Sequence, residues 1–157
     1  MTLKADTLTN LPMRPAFNEA LQAAIGAGEP VALALIDVDR FAAVNEQLGH
    51  EAGDEVLRRL AALLSAAESD GVYRTGGDEF TILLPGMSLE QAFLRMEALR
   101  ARVHAADWSF VGELGPLSIT VGVAQYPRDA RDGRGLATAA DAALLAGNEL
   151  WGHSVRL

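Results

Sequence analysis

The sequence predicts an α+β fold with a mostly antiparallel central sheet flanked by helices. Three observations support this prediction. An apolar run over 31–36 is typical of a strand buried on both faces. Two further apolar runs, 72–75 and 80–84, enclose a turn that contains Gly-Gly, which predicts a hairpin. Segments of helical periodicity separate these strands, and the explicit hairpin argues against a doubly wound parallel sheet.

Apolar residues at helical spacing predict three helices in the first two thirds of the chain. The first is predicted over 17–25, where glycines follow as stop signals. The second is predicted over 56–64 and the third over 89–103. Ser88 and Gln91 have the spacing of a capping box, which marks the start of the third helix.

The last third of the chain continues the mixture of strands and helices. β-Branched residues predict a strand over 117–124, and an alanine-rich stretch predicts a helix over 136–145. Val155 can begin a last short strand. The segment 128–135, rich in charged residues and glycine, is the most loop-like part of the chain.

Composition bounds the function. The chain has 157 residues, which fits one domain over 1–157, and half of them are hydrophobic. It has no cysteine, which excludes disulfide scaffolds and thiolate chemistry, and its formal net charge of −8 disfavours nucleic-acid binding. No apolar run approaches the roughly 18 residues of a membrane span. We expect a soluble cytoplasmic domain without membrane contact. It can be one part of a larger multidomain signalling protein.

Four carboxylates stand where strands end or turn. Asp37 follows the buried strand and Asp39 comes two residues later, while Asp78 and Glu79 lie at the hairpin turn. Carboxylates at such positions converge when the two strands are neighbours. Their mutual repulsion is relieved by a divalent cation such as Mg²⁺, which takes one or two carboxylates together with substrate phosphates. The alternative is that these residues are ordinary turn and cap residues.

Gly76 and Gly77 precede the second carboxylate pair. Without side chains, they let a phosphate or a base approach the backbone closely. A plain hairpin turn explains the same two residues equally well.

The hairpin segment carries a family signature. Residues 74–80 read R-T-G-G-D-E-F, and this resembles the signature of GGDEF domains, the diguanylate cyclases. Five other segments resemble motifs of the same family in the same order, so that the match runs from about Asp6 to Val155. They are D-T-L-T-N-L-P at 6–12, the metal strand I-D-V-D-R-F at 36–41, N-E-Q-L-G-H-E-A-G-D at 45–54, S-I-T-V-G-V-A at 118–124, and A-D-A-A-L at 140–144.

The resemblance implies a fold and a reaction. The implied fold is the sheet of polymerase palms and class III nucleotide cyclases. The implied reaction joins two GTP molecules into cyclic di-GMP with loss of two pyrophosphates and needs Mg²⁺ or Mn²⁺. It also needs a homodimer, because each 3′-hydroxyl attacks the α-phosphate of the GTP held by the other domain.

Matching positions to the family implies a set of metal ligands. Asp37 and Asp78 would be carboxylate ligands, and the Val38 carbonyl would be a third ligand. Glu79 would assist, on the second metal or near the attacking hydroxyl. Glu79 and Asp78 are therefore the catalytic candidates.

The same matching implies a nucleotide pocket. Asn45 and Asp54 would read the guanine edge, because an amide donates and accepts while a carboxylate accepts from the guanine N1 and N2 hydrogens. Without the resemblance, a polar residue on a helix surface would explain Asn45, and a helix cap would explain Asp54. The rest of the implied substrate site is formed by Phe41, Ala42, Gly76 and Gly77.

Two departures from the family pattern bear on activity. Ala42 and Asn148 stand where the pattern has lysines that face the triphosphate, and W-G-H at 151–153 replaces a G-R-N that contains an arginine. Hydrogen bonds to charged groups contribute about 1.5–3 kcal/mol each. Losing two or three would weaken GTP binding by roughly 10² to 10⁴. The only lysine in the chain is Lys4.

Three functions therefore remain open. The first is a weak diguanylate cyclase. The second is a degenerate module that binds GTP or a partner protein and regulates a neighbouring domain without turnover. The third is a purely structural dimerisation domain.

A third departure concerns regulation. Many members of the family bind their product at an R-x-x-D motif just before the signature. Here Asp70 retains the aspartate, but Ala67 replaces the arginine. We therefore expect no product-inhibition site at this surface.

Overall fold

A computed structural model describes residues 4–68, 71–150 and 155–156, with only the backbone described for 148–150 and 155–156. These residues form five α-helices, five strands and one 3₁₀ helix. In chain order they are α1 (Arg14–Gly26), β1 (Val31–Val38), α2 (Phe41–Leu48), α3 (His50–Ala67), β2 (Val72–Arg74), β3 (Glu79–Pro85), α4 (Leu89–Ala105), the 3₁₀ helix (Ser109–Leu114), β4 (Ile119–Tyr126), α5 (Gly133–Leu150) and β5 (Val155–Arg156).

The strands form one sheet in the order β2-β3-β1-β4-β5. The β2–β3, β3–β1 and β1–β4 pairs are antiparallel, and only the short β5 runs parallel to its neighbour β4. The predicted α+β class, with a mostly antiparallel sheet and flanking helices, is confirmed. The predicted hairpin is β2–β3, and the predicted last strand at Val155 is β5.

The sheet separates two hydrophobic cores, because successive side chains of a strand point to opposite faces. One face of β1 carries Ala32, Ala34 and Ile36 into a core that is covered by α3 and α4. The other face carries Leu33 and Leu35 into a core that is covered by α1 and α5. Strand β1 is therefore buried on both faces, as its continuous apolar sequence predicts.

The start of α4 confirms the predicted capping box. The Gln91 backbone N–H donates to the Ser88 Oγ over 3.1 Å, and the Ser88 N–H donates to the Gln91 Oε1 over 2.9 Å. These bonds satisfy two backbone donors that a helix start otherwise leaves free.

The start of α5 corrects one prediction. The loop expected over 128–135 is wrong for its last three residues, because α5 begins at Gly133. The Asp132 carboxylate causes the early start. Its Oδ1 accepts a hydrogen bond of 2.7 Å from the Gly135 N–H, which is the geometry of an N-terminal cap.

Helix α5 lies unusually close to β4. A Cβ placed on Gly122 would overlap the Ala140 carbonyl and the Leu144 backbone nitrogen, and it would come within 2.8 Å of the Leu144 Cα. These are backbone atoms of a helix, so no side-chain rotation can relieve the overlap. The close packing of α5 on the sheet therefore requires glycine at this position.

We expect Gly122→Ala to destabilise the fold by about 1–3 kcal/mol, because α5 must move away from β4 to make room for the methyl group. Gly26→Ala is the matched control, since a Cβ at Gly26 has no neighbouring atom within 4 Å. Urea unfolding followed by circular dichroism measures both changes. An unchanged free energy of unfolding for Gly122→Ala would contradict the packing described here.

Candidate active site

The site is built on a turn near the N-terminus. The Asp6 carboxylate Oδ2 accepts hydrogen bonds from the Thr9 N–H and hydroxyl, at 2.9 and 2.6 Å, and from Arg74 Nη1 at 2.8 Å. Burial alone would raise the pKa of Asp6, but these bonds and the Arg74 charge outweigh it and hold the pKa below its usual value. The turn is thus locked to the signature segment by a charged pair.

Arg74 joins this turn to the hairpin. Its Nη2 donates to the Gly77 carbonyl over 2.8 Å, and its backbone N–H donates to the Pro12 carbonyl over 2.9 Å. Together with the Asp6 ion pair, these contacts give Arg74 a structural role. One side chain therefore fixes both the N-terminal turn and the Gly-Gly turn.

Asp37 and Glu79 face each other at the end of the sheet. They are direct partners in the register of β1 and β3, and Thr120 on β4 is the partner of Asp37 on the other side. Both carboxylates lie on the face covered by α1 and α5, because they continue the alternation of Leu35 and Leu83. Like charges directly opposite each other are unfavourable.

A divalent cation fits this pair. Two carboxylates and the Val38 carbonyl are oxygen donors of the kind that Mg²⁺ prefers. Across the ranges that the structure describes, no three acidic or histidine side chains form a complete metal cage.

Asp39 lies just after the end of β1, beside the start of β4. Its Oδ2 accepts from the Ser118 hydroxyl and its Oδ1 from the Thr120 hydroxyl, both at 2.6 Å, while its N–H donates to the Ser118 carbonyl. Both oxygens are therefore engaged in holding β1 against β4. This structural role agrees with the absence of Asp39 from the expected ligands.

Glu79 has two partners that the sequence did not predict. Its Oε2 accepts a 2.5 Å hydrogen bond from the Thr75 hydroxyl and a 3.2 Å hydrogen bond from Arg14 Nη2. Arg14 Nε and Nη2 both also donate to the Thr75 carbonyl, at 3.2 and 2.9 Å. Glu79 is thus fixed from the start of α1 as well as from its own hairpin.

The hairpin turn holds the remaining signature residues. A Cβ on Gly76 would lie 3.2 Å from the Glu79 Cβ, so glycine leaves space for that side chain, whereas Gly77 faces open space. Asp78 lies in the turn immediately before β3. It precedes Glu79, the residue that faces Asp37, by one position. The register therefore pairs Asp37 with Glu79 rather than with Asp78.

A second group of residues lies beyond the end of β1, in α2 and α3. Arg40 has a left-handed backbone with φ 62°, and α2 begins immediately after it at Phe41. The first backbone N–H groups of a helix, here those of residues 41–43, have no partner inside it, and such an end can bind an anion. Periodicity did not predict α2, which is eight residues long and has one buried apolar residue, Val44.

Two glycines shape the segment between Asn45 and Asp54. Gly49, with φ 90°, allows the chain to reverse between α2 and α3. The Asn45 side chain lies on Gly53, where a Cβ would overlap the Asn45 Oδ1 and come within 3.3 Å of Phe41 Cζ. Asp54 is the residue after Gly53 and lies inside α3, so the alternative reading of Asp54 as a helix cap is wrong.

The structure describes only some of the positions at which the sequence departs from the family pattern. Asn148 lies in α5. Ala67 ends α3, beside a 3.1 Å ion pair of Glu68 with Arg95. Asp70 and residues 151–153 lie outside the described residues. The expected loss of the product-inhibition site remains a prediction.

The family model described as "Diguanylate cyclase, GGDEF domain" matches residues 3–154. The chain belongs to the GGDEF domain family. This GGDEF domain is 41% identical to the diguanylate cyclase DgcP of Pseudomonas aeruginosa over 121 residues, which are 73% of the chain and 18% of that protein. It is 37% identical to the diguanylate cyclase TpbB of the same species over 150 residues, which are 88% of the chain and 34% of that protein.

Solved structures agree with the fold of this GGDEF domain. The GGDEF domain of TpbB from Pseudomonas aeruginosa has a TM-score of 0.89 at 36% identity, covering 98% of this chain and 93% of that one. The GGDEF domain of DgcB from Caulobacter crescentus, in complex with c-di-GMP, has a TM-score of 0.88 at 28% identity and covers 99% and 96%. In the part of this domain that is described, no helix is long and apolar enough to cross a membrane.

Three contributors to the site escaped sequence reasoning: Arg14, Thr75 and Gly53. Gly53 had a usable signal, because a glycine inside a helix costs about 1 kcal/mol relative to alanine and therefore points to a packing reason. Arg14 had none, since its contacts with Thr75 and Glu79 span 61 and 65 residues of the chain. Thr75 lies only four residues from Glu79, but its residue type alone does not indicate the hydrogen bond between them.

We expect Gly53→Ala to displace the Asn45 side chain and leave the fold intact, because the overlapping atom is the end of a movable side chain. Helix propensity favours alanine, so thermal stability should be kept or raised. The side-chain amide resonances of Asn45 in ¹H–¹⁵N spectra measure the displacement, and Gly26→Ala serves as control. Unshifted Asn45 resonances would contradict this arrangement.

Proposed function

We propose that this GGDEF domain is a diguanylate cyclase that condenses two GTP molecules into cyclic di-GMP and two pyrophosphates. Each 3′-oxygen forms a bond to the α-phosphorus of the other GTP while the bond from that phosphorus to the leaving pyrophosphate breaks. The two hydroxyl protons pass to the solvent. Whole relatives named diguanylate cyclases support the reaction class, although the chain spans 18% and 34% of DgcP and TpbB.

One observation carries the proposal: the register that sets Asp37 directly opposite Glu79 at the end of a sheet. Two facing carboxylates favour a bound cation, and the N-terminal end of α2, which begins four residues after Asp37, favours a bound anion. A polyphosphate bridged by a divalent cation satisfies both requirements, because its oxygens bind the cation and also accept hydrogen bonds from backbone N–H groups.

The acidic residues then have separate roles. Asp37, Asp78 and the Val38 carbonyl hold Mg²⁺ or Mn²⁺, which supplies charge stabilisation at the phosphates when bound. Glu79 is oriented by Thr75 and Arg14, so its carboxylate can hold the cation or accept a hydrogen bond from the attacking hydroxyl. Gly76 and Gly77 leave the hairpin turn open to substrate.

Asn45 and Asp54 select guanine. Asn45 is pressed onto Gly53 and Asp54 follows that glycine, so both polar groups act from neighbouring turns of α2 and α3. The Asn45 amide can donate to and accept from the base, and the Asp54 carboxylate can accept from the N1 and N2 hydrogens of guanine. Adenine lacks those donors on that edge.

The reaction sets the partners and the compartment. One domain holds one GTP, so two copies must face each other, and this proximity supplies much of the rate gain. The substrate is a cytoplasmic nucleotide, and we place the domain in the cytoplasm for that reason.

Ala42 and Asn148 favour low activity and also support a second candidate. A domain that lacks lysines at the triphosphate can bind GTP weakly, or only a partner protein, and regulate a neighbouring domain without turnover. The carboxylates and the guanine-reading pair are all retained, which is why we rank the enzyme first.

Product analysis decides between these candidates. We expect the chain, fused to a dimer-forming segment, to convert GTP and Mg²⁺ slowly into cyclic di-GMP detectable by chromatography. Asp37→Asn and Asp78→Ala should abolish the product, because each removes an expected carboxylate ligand. GTP binding by calorimetry without product would favour the regulatory module, and neither binding nor product would leave the dimerisation role.

We expect Ala42→Lys to strengthen GTP binding about tenfold, since a charged hydrogen bond to a phosphate contributes at least about 1.5 kcal/mol. Ala42 is exposed at the start of α2, so the fold tolerates the lysine. Ala101→Lys, at an exposed position of α4, adds the same charge elsewhere and is the control. Equal gains in the two variants would show a non-specific charge effect and contradict the assignment.

A further inference from the structure

The contact of Arg14 with Glu79 has a geometry that a simple surface ion pair lacks. The guanidinium is anchored by two donors on the Thr75 carbonyl, so it keeps its place whether or not Glu79 is available. Its Nη2 is shared between that carbonyl and the Glu79 Oε2, at 2.9 and 3.2 Å. A fixed positive charge thus stands beside one carboxylate oxygen of the site.

The same oxygen is held from the other side by a chain of hydroxyls. An ionised carboxylate only accepts hydrogen bonds, so the Thr75 hydroxyl donates its single proton to Glu79. The 2.7 Å contact of Thr75 with Thr81 must then run from the Thr81 hydroxyl to the Thr75 oxygen. Thr81 is fully buried, which makes this direction of donation a fixed feature of the sheet.

The Arg14–Glu79 pair adds little to the stability of the fold. Its side chains are 57% and 29% exposed, and exposed pairs contribute little to the free energy of unfolding. Its electrostatic effect is local instead: the register sets Glu79 opposite Asp37, and the guanidinium balances one of these two negative charges.

We infer that Arg14 is a built-in counter-ion of Glu79, and that a divalent cation must compete with it for this carboxylate. The inference rests on the cation site of the proposed function. A positive group 3.2 Å from a ligand oxygen engages that oxygen and repels an incoming dication. The affinity of the site for divalent cations is therefore lower than the carboxylate pair alone would give.

This role also connects the cation site to the N-terminal turn. Arg14 is the first residue of α1, and the preceding Met13 is bridged to Arg74 of β2. The guanidinium beside Glu79 therefore belongs to the same segment that joins the N-terminal turn to the hairpin.

Mn²⁺ titration of the full chain, followed by the electron paramagnetic resonance signal of free Mn²⁺, tests the inference. We expect Arg14→Gln to bind Mn²⁺ about three- to tenfold more tightly than the wild type, and the difference to shrink in high salt. Arg14→Lys keeps the charge and should stay near the wild-type affinity. Arg58→Gln, which removes an exposed arginine paired with Glu55 on α3, should change nothing.

The opposite results overturn it. Arg14→Gln with an equal or weaker Mn²⁺ affinity would mean that the guanidinium positions Glu79 without competing. Absence of Mn²⁺ binding in both the wild type and Arg14→Gln would overturn it as well. Thermal melts of every variant establish that the fold is kept.

The outcome separates from that of the proposed function. Cyclic di-GMP production together with unchanged Mn²⁺ affinity in Arg14→Gln would refute the counter-ion role and leave the cyclase standing. Tighter Mn²⁺ binding without any product would support the counter-ion role and refute the cyclase. Asp37→Asn locates the bound ion, because its loss of Mn²⁺ binding identifies the carboxylate pair as the site.

Discussion

Strand β1 is hydrogen-bonded to β3 on one side and to β4 on the other, and both of its faces are covered by helices. If β1 shifted by one residue along either neighbour, its two faces would be exchanged. Asp37 would then point into the core under α3 and α4. The register is therefore fixed by hydrophobic burial along the whole strand. The opposition of Asp37 and Glu79 at its end follows from that burial and needs no attraction between the two carboxylates.

Around this fixed pair, polar contacts give the neighbouring carboxylates different hydrogen-bond partners. Arg14 and Thr75 engage Glu79, and Thr75 is in turn bonded to Thr81, whereas Asp39 is engaged by Ser118 and Thr120. The first set leaves a carboxylate at the site that still has an oxygen for a ligand. The second set uses both oxygens of its carboxylate to join two strands. Glu79 and Asp39, two carboxylates at the same end of the sheet, thus differ in chemistry because their neighbours engage them differently.

The fold was largely predictable because its elements carry local signals. The buried strand, the Gly-Gly hairpin and the capping box at Ser88 depend on residues that are close in sequence, and each was found where expected. Helix α2 was missed because eight residues with one buried side chain give too little periodicity. Helix α5 begins earlier than predicted because the Asp132 cap starts it ahead of the alanine-rich stretch.

The site was predictable in its residue types but less so in its contacts. The family resemblance supplied the carboxylates and the Asn45–Asp54 pair. It could not supply the support of Glu79 by Arg14, which joins residues 65 apart, or the packing of Asn45 on Gly53. The Arg14 contact arises from tertiary packing that no local pattern encodes, whereas the glycine inside α3 is a local sign of close packing.

The two cores have unequal size, and this has a consequence for motion. Among the described residues, the core under α3 and α4 contains many more buried side chains than the core under α1 and α5. Local opening costs least where the fewest apolar contacts are broken. Helices α1 and α5 should therefore separate from the sheet more readily than α3 and α4. The carboxylate pair lies on that more easily opened face. Local opening of α1 and α5 should therefore disturb Asp37 and Glu79 first, while the larger core keeps the sheet intact.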